Sequence, residues 1–262
     1  MNSTAELVEL LAARRGIVCA AGAGGKKSVL RAIAAAHPGR VAMTGTVPFA
    51  PPPETLEGHR YTGSLEALEQ QLAATAGLET GVFMYGMPEE KKGRWGGVPA
   101  GSIVDWHRRF GFEATLVKAD GARMRWIKAP ADTEPVLTPR CDTLIPVLSA
   151  RALGEPLAER IAHRLPQVEQ VSGCRPGEIF QPVHAARLLA SPNALLKSAG
   201  DARVRPVINM VDDETRTALA AEAARLALAM TERFDQILLM RLKTTPELVA
   251  VIDRAGSGQW TK

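Results

Sequence analysis

Cysteine is scarce in this chain: Cys19, Cys141 and Cys174 are the three among 262 residues. No two form a C-x-x-C pair and the count is odd. That argues against a disulfide framework and for reduced thiols in the cytoplasm. The five histidines are scattered, with no H-E-x-x-H and no Cys/His cluster, so no structural zinc site is expected. Long apolar runs are missing as well. Nothing approaches the roughly 20 apolar residues needed to cross a bilayer, so no membrane partner is expected. Arg14-Arg15 before the apolar run Ile17–Ala23 has the outline of a signal peptide. The run is short, however, and Gly24-Gly25-Lys26-Lys27 follows at once. Charge of one sign is not in large surplus either. The 32 basic and 28 acidic side chains leave a net +4. This balance does not point to nucleic acid as a partner, and it suits a site that holds phosphate.

What the chain does have is apolar material, 46% of residues, arranged as alternating strands and helices. Thr4–Ala13 reads as a helix closed by Gly16, and Ile17–Ala21 as a short buried strand. A glycine-rich turn follows, then a helix over Ser28–His37 and a strand at Val41–Thr44. This is a βαβ unit, which predicts a parallel sheet. Further on, Thr46–Gly58 reads as a Pro-rich loop, Leu65–Ala76 as a helix and Gly81–Tyr85 as a strand. Pro88–Gly97 reads as a mobile loop, and Ile103, Trp106 and Phe110 mark a helix. Ala114–Ala119 and Thr143–Val147 read as strands. Residues from about 150 to 200 read as short helices broken by Pro and Gly, with His163-Arg164 at a helix end. Pro206–Asn209 is a strand, Asp213–Thr231 a long helix and Gln236–Met240 a last strand. The expectation is a single α/β domain over 1–262. It has a doubly wound, mostly parallel sheet, helices on both faces and a helical insertion at about 150–200.

The string Ala21-Gly22-Ala23-Gly24-Gly25-Lys26-Lys27-Ser28 carries the chemistry. Glycines let backbone N–H groups approach an anion, a helix N-terminus adds oriented donors, and a lysine neutralises phosphate oxygens. The match to G-x-x-x-x-G-K-[ST] is imperfect. With Gly25-Lys26 as the G-K pair, Ala20 replaces the first glycine and Lys27 the metal-binding hydroxyl. With Lys27-Ser28 as the K-S pair, Ser28 supplies the hydroxyl but Lys26 replaces the second glycine. The dinucleotide pattern G-x-G-x-x-G fits Gly22 and Gly24 and fails at Lys27. It also lacks an acidic ribose ligand near Thr44. A ligand-free glycine turn is the plainer alternative.

Two further segments belong to the same edge of a parallel sheet. Asp120 follows a strand where a Walker-B carboxylate would stand, ready to hold a metal or orient phosphate, and Arg123, Arg125 and Lys128 come soon after. A capped turn with solvated arginines is the competing reading. Asn209-Met210-Val211-Asp212 keeps the Asn and Asp of the base-reading N-K-x-D motif. Asp212 or Asp213 could equally cap the next helix.

These strings together resemble the YqeC family of selenium-enzyme accessory proteins. Gly22–Lys26 resembles its G-A-G-G-K-T-T turn. Ala119–Arg123, Lys128–Ala131 and Glu134–Val136 resemble its A-D-G-A-R…K-A-P-A…E-P-V-I-P block. Ala152–Gly154, His163-Arg164, Asn209 and Asp212 fit further segments. The resemblance implies a P-loop NTPase-like fold and a role in maturing selenium-dependent molybdenum hydroxylases. A molybdenum enzyme or a cofactor-maturation protein would be the client. The implied ligand is ATP or GTP, with Mg²⁺ where hydrolysis occurs. Gly22, Ala23, Gly24, Gly25, Lys26, Lys27 and Ser28 would hold the phosphates with Arg123 and Lys128. Lys26 and Asp120 would be catalytic, Ser28 and Asp120 would face the metal, and Asn209 and Asp212 the base. Four departures fall at this site: Lys27 for the family's Thr, Lys118 for an acidic residue, Met210 for the motif Lys, and a shortened Thr motif at Thr44-Gly45-Thr46. They leave open an NTPase, a non-hydrolysing nucleotide-binding adaptor, or a cofactor-delivery scaffold with a degenerate P-loop.

Overall fold

The structure, a computed structural model, describes residues 4–242, 246–254 and 259–260. Its central strand is β1 (Gly16–Gly22), in which every residue but the first is buried. Side chains alternate: Ile17, Cys19 and Ala21 enter one core, and Val18 and Ala20 enter the other. Both faces are covered, so the strand reads as an unbroken apolar run rather than an alternating one. The parallel partners of β1 are β5 (Ala114–Lys118) on one side and β7 (Thr143–Ser149) on the other.

Outward from β5 lie β2 (Arg40–Gly45), β4 (Gly81–Gly86) and β3 (His59–Thr62), all parallel. Outward from β7 come β10 (Val207–Asn209) and β11 (Gln236–Arg241), also parallel. Then β12 (Glu247–Asp253) and β13 (Gln259–Trp260) run antiparallel. The short β9 (Arg203–Val204) adds to β7, and β6 (Ile127–Lys128) pairs with β8 (Ala162–His163) as a separate ribbon. Helices α1 (Thr4–Leu10) and α2 (Lys26–Ala36) pack on one face through Leu7, Val8, Val29 and Ile33. Helices α3 (Leu65–Ala73), α4 (Ala100–Arg109), α5 (Leu165–Ser172), α6 (Pro182–Ala190) and α7 (Glu214–Met230) cover the other. The fold is therefore mixed α/β, with a mostly parallel sheet and helices on both faces. No helix among the described residues is long and apolar enough to cross a membrane. The three cysteines are free thiols.

The chain leaves β1 toward β2 on one side and later returns to β7 on the other. The turn after β1 thus opens at a topological switch point, where parallel sheets bind ligands beyond their carboxyl ends.

Several boundaries differ from the sequence reading. Helix α1 stops at Leu10, because Ala12 takes a positive φ and Ala13 N–H returns to the Val8 carbonyl. Helix α2 starts at Lys26, two residues earlier than expected, since Gly25 serves as its cap. Strand β3 was not expected. His59-Arg60-Tyr61-Thr62 has no apolar run, being an edge strand whose residues are exposed or half-buried. Gln236–Arg241 is not the last strand, since β12 and β13 follow it. His163-Arg164 opens a helix rather than closing one: Arg164 is the cap of α5, at φ 65°. The stretch expected as a mobile loop, Pro88–Gly97, is tied at its ends. Phe49 and Trp95 exchange two backbone hydrogen bonds (2.9 and 2.8 Å), as do Met87 and Gly96 (3.1 and 2.7 Å).

Candidate phosphate-binding site

Two glycines shape the turn. Gly24 has φ +74°, and a Cβ there would meet Ser149 Cβ at 2.5 Å and its nitrogen at 2.7 Å. Gly25 has φ +137°, and a Cβ there would overlap the Asn209 side-chain nitrogen. Both backbone conformation and space therefore demand glycine. Gly25 caps α2 without any side-chain hydrogen bond to the helix. That leaves the helix N-terminus as a set of oriented donors with partial positive charge. The turn is fastened to its neighbours: Ala23 N–H donates to Val147 O (2.8 Å), and Gly24 N–H donates to Arg125 O (3.2 Å).

Lys26 is buried and folded back into the turn, donating to the Gly22 carbonyl. Its ammonium lies 2.9 Å from Asp120 Oδ1, which is held by charge rather than by a hydrogen bond of good angle. Asp120 stands just beyond β5, the strand beside β1. Its other oxygen accepts from Gly22 N–H (3.0 Å) and pairs with Lys128 (2.9 Å). Lys128, on β6, is wholly buried. It also reaches Glu134 (2.7 Å) and the Gly121 carbonyl (2.5 Å), and Glu134 in turn meets Arg164 (3.0 Å). One chain of alternating charges thus runs Lys26–Asp120–Lys128–Glu134–Arg164. It joins one residue from each of the A-D-G, K-A-P-A, E-P-V and H-R strings. Burial alone would raise the Asp120 carboxyl, but Lys26 and Lys128 together hold it below the usual range. Burial pushes Lys26 below an ordinary lysine, and Asp120 only partly offsets this.

Lys118, the last residue of β5, went unrecognised as a site residue in the sequence, where it registered only as a departure from the family's acidic residue. Its ammonium makes one hydrogen bond, to the Pro48 carbonyl at 3.4 Å, and among the described residues it makes no ion pair. Burial first, then the charge of Lys26, pushes it down to about 7.

The expected site residues divide. Gly22, Ala23, Gly24, Gly25, Lys26, Asp120, Lys128 and Asn209 come together around the turn. Asn209, at the end of β10, donates to the Gly24 carbonyl at 2.8 Å, while its buried Oδ1 has no hydrogen-bond partner among the described residues. Lys27 is exposed and Ser28 half-buried, as the second and third residues of α2. Arg123 stands in solvent at a turn that places it and Met124 at positive φ. Asp212 lies to the side, paired with Arg151 at 2.8 Å. Asp213 caps α7 through Arg216 N–H (2.8 Å).

A resident divalent cation does not fit these residues. Both Asp120 oxygens are engaged by lysines, and the Lys128 ammonium fills the oxygen nest formed by Asp120, Glu134 and Gly121. Lys27 stands where a hydroxyl ligand would be needed in the Gly25-Lys26 register. Among the described residues no group of three or more His, Cys, Asp or Glu side chains is arranged to hold a metal. Octahedral magnesium needs free oxygen ligands, and here ammonium groups take them.

A family model described as YqeC protein matches residues 18–166, more than half of the chain, and the span includes the turn, Asp120, Lys128 and Glu134. No curated protein matches the chain.

Proposed function

The chain belongs to the YqeC family, and from that footing we propose that it is a cytoplasmic nucleotide-binding accessory protein with a P-loop NTPase-like fold. Its turn takes the phosphates of ATP or GTP, and its work is the maturation of selenium-dependent molybdenum hydroxylases, with such an enzyme or a cofactor-maturation protein as client. The observation that carries this reading is the buried Lys26 ammonium, folded back into the glycine turn at the N-terminus of α2 and held by the Gly22 carbonyl and Asp120. On binding, Lys26 exchanges the Gly22 carbonyl for phosphate oxygens and keeps its counter-charge in Asp120. Asn209 fixes the turn through the Gly24 carbonyl, so the backbone donors are already aimed when the ligand arrives.

The occupied Asp120 favours binding without appreciable turnover, the adaptor form of this function. A hydrolytic step needs a positioned water and charge neutralisation at the leaving oxygen. Asp120 is already spent on two lysines. Calorimetric titration with ATP, GTP and their non-hydrolysable analogues tests the reading. Binding that Lys26→Ala weakens by about tenfold or more supports it. No heat with any nucleotide at millimolar concentration rejects it. Phosphate release at the rate of an ordinary slow NTPase rejects the adaptor form alone.

A further inference from the structure

Resting on the nucleotide reading, we propose that Lys118, with Arg94 and Lys27, forms the subsite for the terminal phosphate. An ammonium group there replaces a metal ion, so that the nucleoside triphosphate binds without a divalent cation. Lys118 pairs with Ala20 of β1 and Gly45 of β2, and it closes β5 beside the turn. Alternation along β5 puts it on the same face as Leu116, the face covered by α2, whose first residue is Lys26.

Lys118 is only 9% exposed. A surface lysine buries its stem and keeps its head in water, but little of Lys118 reaches solvent. Burying an ammonium without a counter-charge is costly. Lys118 has no such partner among the described residues, and its one hydrogen bond is long. The charges that bear on it are Lys26, Arg94 and Lys128, all positive, and Asp120, which already serves two lysines. Arg94 shares the Pro48 carbonyl with Lys118, donating to it at 2.6 Å. The charge of Arg94 also reaches Lys27 at the start of α2. Lys118, Arg94 and Lys27 therefore bring positive charge to one side of the turn with no ion pair of their own among the described residues, while Asp120 is taken by Lys26 and Lys128. A multiply charged anion resolves that imbalance.

Sheet order gives the ligand its direction. Asn209 ends β10, two strands from β1 on one side; Lys118 ends β5 on the other. Taken with its base on the β10 side of the turn, a nucleotide sends its phosphate chain toward Lys118. The group neutralised there is then the last phosphate of a triphosphate, which a diphosphate lacks.

The experiment is fluorescence titration of ribose-labelled ATP, ADP, GTP and GDP into the full chain, in magnesium and in EDTA. It compares wild type, Lys118→Met, Lys118→Arg and Lys26→Ala, each checked for a cooperative melt. The proposal expects triphosphate affinity in EDTA within about threefold of that in magnesium. Lys118→Met should weaken triphosphate by about tenfold or more, leave diphosphate nearly unchanged, and be rescued in large part by Lys118→Arg. Loss of triphosphate binding in EDTA overturns it, as does equal binding by wild type and Lys118→Met. A wild type that binds no nucleotide removes the parent reading itself. A wild type that binds and is weakened by Lys26→Ala but not by Lys118→Met leaves that reading standing and removes this one.

Discussion

Asn209 donates its side-chain amide to the Gly24 carbonyl at 2.8 Å, so a residue on β10 fixes the conformation of the turn after β1. In the sequence this asparagine looks like one end of a base-reading motif. In the structure its amide group serves the turn, and Asp212, the other end of the motif, turns to Arg151. Asn209→Ala should therefore lower nucleotide affinity by about tenfold while costing about 1 kcal/mol of stability, the usual worth of one hydrogen bond. Paired titration and urea unfolding check this; unchanged affinity contradicts it.

Gly25 is pressed by the same side chain. Gly25→Ala meets both a disfavoured φ of +137° and the Asn209 amide. It should cost a few kcal/mol and abolish nucleotide binding. In an Asn209→Ala background the same substitution should cost less, because only the backbone strain remains. A double-mutant cycle on unfolding free energy measures the difference. Full additivity rules out the contact.

Two buried lysines should respond oppositely to removal of charge. Lys128 compensates Asp120 and Glu134, so Lys128→Met leaves the buried Asp120 with Lys26 alone and the half-buried Glu134 with Arg164 alone, and should cost about 3 kcal/mol. Lys118 compensates nothing in the unliganded protein, so Lys118→Met should raise the melting temperature at neutral pH. Thermal melts of the two variants side by side decide it. Destabilisation by both would mean that Lys118 has a structural partner.

Stability should also rise with pH in a window set by Lys118. Its folded value of about 7 lies below the 10.5 of an unperturbed lysine. Between those values the unfolded chain holds a proton that the folded chain has released, so raising the pH favours the fold. Below about 7 both states are protonated, and the full burial penalty applies. Urea unfolding from pH 6.5 to 9.5 should show this slope in the wild type and a flatter one in Lys118→Met. Lys26 is pushed down too and stays in both proteins, so the difference between the curves reports Lys118 together with its repulsion of Lys26.

The sheet and the turn were legible in the sequence because they rest on local signals. Ile17–Ala21 is apolar on both faces, and the glycines before Lys26 announce a strand-to-helix turn. Strand β3 was not legible, since His59–Thr62 draws its place from pairing with β4 rather than from its own pattern. The charge chain from Lys26 to Arg164 spans residues far apart in sequence, so its strings come together in the sequence only through the family resemblance. Lys118 was harder still. It registers as a mere substitution until the fold shows that its ammonium is buried without a carboxylate beside it.

The most direct measurement is a crystal structure of the full chain grown with ATP or GTP in EDTA. The account expects phosphate density over the N–H groups at the start of α2, with the Lys26 ammonium moved off the Gly22 carbonyl onto phosphate and Lys118 on the terminal phosphate. Density for nucleotide elsewhere on the molecule, with Lys26 still bonded to Gly22 and Asp120, would contradict it.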